Sequence, residues 1–209
     1  GPLHVPACQD RLFENLGNGS FRDATQASGI VVPDGKGLGV IVRDFDGDGK
    51  RDVFVGNDTT NNRLYFNDST RKQIRFEESS VTSGVAVGAE GKAEACMGIA
   101  STDIDGNGLP DIFITNFETE TNTLYANMGN RIFDDQTETM ELARSSYTMM
   151  GWGTQFLDLN DDDQPDLVLL NGHLHQRRMA AQIFLMDKGR FRTPSSYDGD
   201  YFNEEWLGR

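Results

Sequence analysis

The chain has 209 residues, a net charge of −14 and 37% hydrophobic residues, so it can bury a core of its own or be one part of a larger domain. That charge excludes an anionic nucleic acid or an anionic membrane surface as partner. No apolar run approaches the ~20 residues of a bilayer crossing, which argues against membrane insertion. No P-loop, nucleophile elbow or cysteine metal cluster is present. No signal peptide is legible, although Gly1-Pro2 reads as a protease-cleavage scar that would conceal a removed one.

In chain order, residues 1–10 read as a tail. Over 11–30 come two short strand-like pieces, Leu12-Phe13-Glu14-Asn15 and Phe21-Arg22-Asp23-Ala24-Thr25. Residues 31–85 then show a fuller unit: Gly39-Val-Ile-Val, an acidic loop, Val53-Phe-Val, Leu64-Tyr65-Phe66-Asn67 and Phe76-Glu-Glu-Ser-Ser. The same order recurs over 86–143, with Leu124-Tyr125-Ala126-Asn127 and Phe133-Asp-Asp, and over 144–209, with Ile183-Phe184 and Phe191-Arg-Thr. The β-branched and aromatic runs bounded by Gly, Asn and Pro predict strands. The chain is therefore expected to be all-β, four strands to a unit, with 11–30 supplying only the last two strands of one.

The acidic loops are Asp44-Phe-Asp-Gly-Asp-Gly-Lys-Arg-Asp52, Asp103-Ile-Asp-Gly-Asn-Gly-Leu-Pro-Asp111 and Asp158-Leu-Asn-Asp-Asp-Asp-Gln-Pro-Asp166. Oxygen-bearing side chains stand at positions 1, 3, 5 and 9 of each. That spacing wraps hard oxygen ligands around one Ca²⁺, with the carbonyl of position 7 as the extra ligand. The expected ligands are Asp44, Asp46, Asp48, Lys50 and Asp52; Asp103, Asp105, Asn107, Leu109 and Asp111; and Asp158, Asn160, Asp162, Gln164 and Asp166. An EF-hand would need a Glu at position 12 and a following helix, but that position holds Val55, Ile114 and Leu169. Each loop is instead the turn of a β-hairpin. The first loop has the most carboxylates at the ligand positions, four, and the third carries Asp163 where Gly usually makes the sharp turn.

Aligned on position 1, a Gly lies five residues before each loop (Gly39, Gly98, Gly153) and an Asn thirteen after it (Asn57, Asn116, Asn171). With the Asn-Gly-Phe-Asp turn running from Asn127 to Asp135, this pattern resembles FG-GAP/VCBS repeats, the blades of integrin α-type β-propellers. Met150-Gly-Trp-Gly and Asn171-Gly-His173 are most similar to the ASPIC/UnbV, cartilage acidic protein-like group. The resemblance covers roughly residues 11–193 and implies a partial propeller of about three and a half blades, with about three structural Ca²⁺ in the hairpin loops. It implies a non-enzymatic module for extracellular binding or adhesion, with a protein or glycan ligand. The chain would be secreted, or periplasmic or cell-surface in a bacterium. The alternative is the propeller scaffold of a secreted enzyme, such as a polysaccharide lyase or dehydrogenase, whose catalytic part is absent or lies in the central channel.

Three bound Ca²⁺ would bring the charge to about −8, and sites of roughly 10⁻⁴–10⁻³ M affinity suit extracellular fluid. Cys8 and Cys96 form a disulfide in one reading, and in the other Cys96 is a small buried apolar residue. His173 and His175 offer a metal pair or half of an acid–base site, or else a loop hydrogen bond. Phe54, Phe113, Tyr65, Tyr125 and Phe184, at equivalent repeat positions, predict core between blades. Trp152 and Trp206 lack repeat partners, and Trp152 either lines a channel or a partner site or is buried. Three and a half blades cannot close a ring alone, so either missing blades or a homodimer is expected to complete it.

Overall fold

The structure, a computed structural model, describes residues 6–174, 177–194, 196 and 201–207. Each acidic loop joins two strands, and each pair of strands continues into two more. The first four-stranded sheet holds β3 (Gly37–Arg43), β4 (Asp52–Asn57), β5 (Arg63–Asn67) and β6 (Phe76–Glu78). The second holds β7 (Gly98–Thr102), β8 (Asp111–Thr115), β9 (Thr123–Asn127) and β10 (Phe133–Asp135). The third is built from β11 (Gly151–Leu157), β12 (Asp166–Asn171), β14 (Gln182–Asp187) and β15 (Arg190–Arg192). All pairings are antiparallel and neighbours in space follow chain order. A hairpin of β1 (Phe13–Asn15) and β2 (Phe21–Asp23) precedes them. These are blades of a partial propeller.

Alternation along each strand explains the stacking. Phe54 of β4 is buried in a core shared with Ile112, Ile114 and Tyr125 of the second sheet. Its neighbour Val55 faces the other way, into a core with Ile30, Tyr65 and Leu12. Phe113 likewise turns from Ile112 and Ile114 to meet Leu167, Leu169 and Phe184 of the third sheet. The five repeat-equivalent aromatics are all buried between sheets. The first strands β3, β7 and β11 pack side by side. Backbone approach is close at two equivalent glycines. Gly84 has φ +81°, and a Cβ there would lie 2.9 Å from the carbonyl oxygen of Phe133. Gly29 repeats this against Phe76, at φ +89° and 2.8 Å.

Some expectations change. Two four-residue helices, α1 (Thr25–Ser28) and α2 (Ala143–Ser146), follow last strands β2 and β10. The third sheet carries an insertion, β13 (Met179–Ala180), which pairs antiparallel with β16 (Glu205–Trp206). Residues 205–206 therefore fold back beside the third sheet. Trp206 stacks on Tyr201, with ring centroids 5.3 Å apart. Cys8 and Cys96 are unbridged: Cys8 is exposed and Cys96 is buried between the first two sheets. Burial pushes the Cys96 thiol well up. His175 lies outside the described residues.

Candidate metal centres

The repeated glycines set the turn of the first two loops. Gly47 and Gly49 have φ +75° and +86°, and Gly106 and Gly108 have +78° and +88°. The third loop makes the same turn with Asp161 and Asp163, at φ +59° and +62°, a conformation Asp tolerates better than most residues. The first carboxylate organises each turn. Asp44 Oδ1 accepts the amides of Gly47 and Asp48 at 2.8 and 3.1 Å, and its Oδ2 accepts Gly49 at 2.8 Å. Asp103 does the same for Gly106, Asn107 and Gly108. Asp158 accepts Asp162 and Asp163 at 3.1 and 3.0 Å. Position 5 then takes the amide of position 7: Lys50 to Asp48, Leu109 to Asn107 and Gln164 to Asp162, at 2.8, 2.8 and 2.9 Å.

In two loops the carboxylates converge. Oxygens of Asp44, Asp46 and Asp48 lie within 4.8 Å of one another, as do those of Asp103, Asp105 and Asp111. Each is a set of hard anionic donors on one turn, which fits a divalent cation of the Ca²⁺ kind. In the third loop Asn160 replaces one carboxylate, and Asp158, Asp162 and Asp166 do not form such a triad among the described residues. The Lys50 ammonium pairs with Asp48 and holds it below the usual carboxylate range.

Position 9 has a role that its spacing did not announce. Asp52 is buried and bridges two chain segments, Oδ2 accepting the amide of Phe45 at 2.7 Å and Oδ1 that of Asn67 at 2.8 Å. Asp111 binds Ile104 and Asn127 at 2.8 and 2.6 Å, and Asp166 binds Leu159 and Met186 at 3.0 and 2.8 Å. Each therefore clasps its loop to the third strand of its sheet. Burial pushes both Asp52 and Asp111 up to about 6, against the lowering effect of those amides. A dication bound beside them would compensate that buried charge.

The second sheet also grips the first loop. Arg131, in the turn between β9 and β10, forms ion pairs with Asp46, Asp68 and Glu77 at 2.7, 3.2 and 3.2 Å, and stacks over Phe66 at 4.4 Å. Asn127 Nδ2 donates to the Phe45 carbonyl at 2.8 Å. A Cβ on Gly47 would lie 3.3 Å from Leu109 Cδ2, so the second loop abuts the first. Arg131 has no repeat equivalent and was not legible as a site residue. The apolar second position of each loop was a visible signal.

The repeated Asn closes the turn between second and third strands. Asn57 donates to Asn61 O at 2.9 Å, Asn116 to Thr121 O at 2.8 Å and Asn171 to Ala180 O at 3.0 Å. His173 packs edge-on to Phe117 and lies 3.9 Å from Glu118, which also binds Arg177 at 2.8 Å. These residues join the second and third sheets. Trp152 is partly buried and donates to Gly172 O at 2.7 Å. Among the described residues no helix is long and apolar enough to cross a membrane.

Comparison with known proteins gives a consistent picture. A family model described as FG-GAP-like repeat matches three overlapping segments, 7–55, 44–114 and 103–169. Human cartilage acidic protein 1 is 28% identical over 200 residues, covering 94% of this chain and 27% of that protein. The mouse protein of that name is 40% identical over 67 residues, 32% of this chain and 10% of its own length. The Xenopus tropicalis protein is 36% identical over 67 residues. The chain thus spans about a quarter of the human relative.

Proposed function

Because this chain belongs to the FG-GAP-like repeat family, we propose that it is a non-catalytic, calcium-binding propeller segment presenting a rigid surface to an extracellular protein or glycan. The observation that carries this reading is the convergence of carboxylate oxygens, within 4.8 Å, on the same loop turn in two successive repeats. The expected ions number about three, one per loop, and their role is structural. Without a cation, clustered carboxylates repel and burial disfavours the charged form of Asp52 and Asp111, so a bound ion stabilises the native turn. The name of the relatives, acidic proteins of cartilage, supports an extracellular setting, where modest calcium affinity suffices. Engagement of His173 and Arg177 in contacts between sheets supports a structural role for the residues that break the repeat.

Calorimetric titration with Ca²⁺ after chelation, paired with melting curves, tests this. The expected result is about three ions and a melting temperature that rises with calcium. A melting curve unchanged by excess EDTA refutes it.

A further inference from the structure

The tripeptide Asn-X-Ser/Thr, with X other than proline, is the acceptor for N-linked oligosaccharide. It occurs three times in the chain: Asn18-Gly19-Ser20, Asn57-Asp58-Thr59 and Asn67-Asp68-Ser69. The fold treats the three asparagines differently. Asn57 is fully buried, and its Nδ2 donates to Asn61 O at 2.9 Å. That bond closes the turn after the second strand of the sheet and is repeated by Asn116 and Asn171. Asn67 is half-buried, and its Nδ2 donates to Arg51 O at 2.9 Å, as Asn127 donates to Pro110 O at 3.1 Å one sheet later. In both tripeptides the nitrogen that would carry a sugar is already holding the fold.

Asn18 is placed otherwise. It lies in the turn between β1 and β2 and is exposed. Its Oδ1 accepts the Ser20 amide at 3.1 Å and the Ser20 hydroxyl at 2.6 Å. This Asx turn ties together the two residues that the tripeptide requires and uses only the carbonyl side of the side-chain amide. Among the described residues nothing is bonded to its Nδ2. The exposure does not depend on what stands beside the hairpin, because residues 15–21 have a counterpart in residues 127–133. Leu16 N–H donates to Ser20 O as Met128 does to Ile132 O, and Gly17 N–H donates to Asn15 Oδ1 as Gly129 does to Asn127 Oδ1. Asn130 holds the place of Asn18 in that turn. Arg131 clamps the turn to the first sheet, and Asn130 is still exposed. Arg131 and Ile132, in place of Gly19 and Ser20, remove the tripeptide there.

We propose that Asn18 is an N-glycosylation site, and that of the three tripeptides it alone carries a glycan in the folded protein. In the transfer a bond forms between Nδ2 and the anomeric carbon of an oligosaccharide. The bond from that carbon to a lipid pyrophosphate donor breaks, one amide proton passes to a base of the transferase, and nothing is oxidised or reduced. A sugar on Asn18 leaves the Asx turn intact, since the modified atom makes no bond in the fold. A sugar on Asn57 would have to enter a fully buried site, so a chain modified there cannot reach this structure. The inference rests on the extracellular setting of the proposed function and not on the metal. An unmodified Asn18 and a failed calcium titration are therefore distinct outcomes.

Secretion of the full chain from a eukaryotic cell, behind a cleavable leader, tests this by intact mass and peptide mapping of protein from medium and cells. The chain is expected to gain the mass of one oligosaccharide and to lose it on treatment with peptide N-glycosidase. Release in heavy-oxygen water should place the label at position 18, which separates release from spontaneous deamidation of Asn18-Gly19. Asn18→Gln and Ser20→Ala should each abolish the whole shift, whereas Ser20→Thr should keep it, all with the native circular dichroism spectrum. A chain without glycan on Asn18 overturns the proposal. So does a shift that survives Asn18→Gln, or a glycan mapped to Asn57 or Asn67 in folded, secreted protein.

Discussion

The apolar residues at the second position of the acidic loops, Phe45, Ile104 and Leu159, offer a test in which position in the fold, not chemistry, sets the answer. Phe45→Ala removes a fully buried ring set edge-on to Phe133. Truncation of a buried Phe costs about 3–5 kcal/mol, of which the aromatic pair accounts for about 0.5–1.5 kcal/mol. For a chain of this size that lowers the melting temperature by about 6–20 °C. Leu159→Ala alters a side chain that is 42% exposed among the described residues, so it should cost less than about 1 kcal/mol. Urea denaturation at low micromolar protein measures both, and a double-mutant cycle of Phe45→Ala with Phe133→Leu isolates the ring pair. Nearest-neighbour coupling in repeat folds means the Phe45 variant can melt in two steps, with the first sheet leaving earlier. Equal costs at Phe45 and Leu159, or a Phe45→Ala cost below about 1 kcal/mol, would refute the wedge reading.

Two further substitutions probe the electrostatics. Arg131→Gln removes ion pairs to Asp46, Asp68 and Glu77 and should destabilise the chelated protein by about 1–2 kcal/mol; the loss should shrink in calcium, where the ion compensates Asp46, and equal losses in EDTA and calcium would contradict this. Burial raises Glu94 from 4.5 to about 7, with Glu120 and Asp135 adding to the effect. A raised carboxyl favours the folded state only while protonated, so this contribution is present below pH 4.5 and is lost as pH rises to about 7. Glu94→Gln should flatten that decline by about 1–3 kcal/mol in urea titrations between these limits, and an unchanged slope would remove Glu94 as its source.

What could be read from the sequence was whatever repeats. Asp44, Asp103 and Asp158 located the hairpins, and the apolar triplets after Asp52, Asp111 and Asp166 became β4, β8 and β12. Tyr65 and Tyr125 were legible as core because they recur. Features that occur once were not legible. Arg131 reaches Asp46 across 85 residues of sequence, and only the stacking of two sheets brings them together. The β13–β16 pair joins Ala180 to Glu205, which no local pattern signals. The spacing that suggested a ligand role for Asp52 does not disclose the clasp, in which its oxygens accept the amides of Phe45 and Asn67.

That clasp gives the acidic loop a second purpose. In the first repeat Asp44 organises the turn through three amides, Asp52 fixes the amide of Phe45, and the Phe45 side chain enters the core between sheets. Asp46 meanwhile reaches Arg131 of the next sheet. A cation bound in the loop, as proposed above, would therefore also order the residue that wedges the two sheets together. By linkage, packing of the second sheet must favour the cation as much as the cation favours packing. The third loop keeps the same backbone turn and the same position-9 clasp, yet its wedge, Leu159, remains exposed and no carboxylate triad converges there among the described residues. Asn160, in place of a third-position carboxylate, accounts for the missing triad. Loops one and two, which carry a carboxylate at that position, have the converged oxygens.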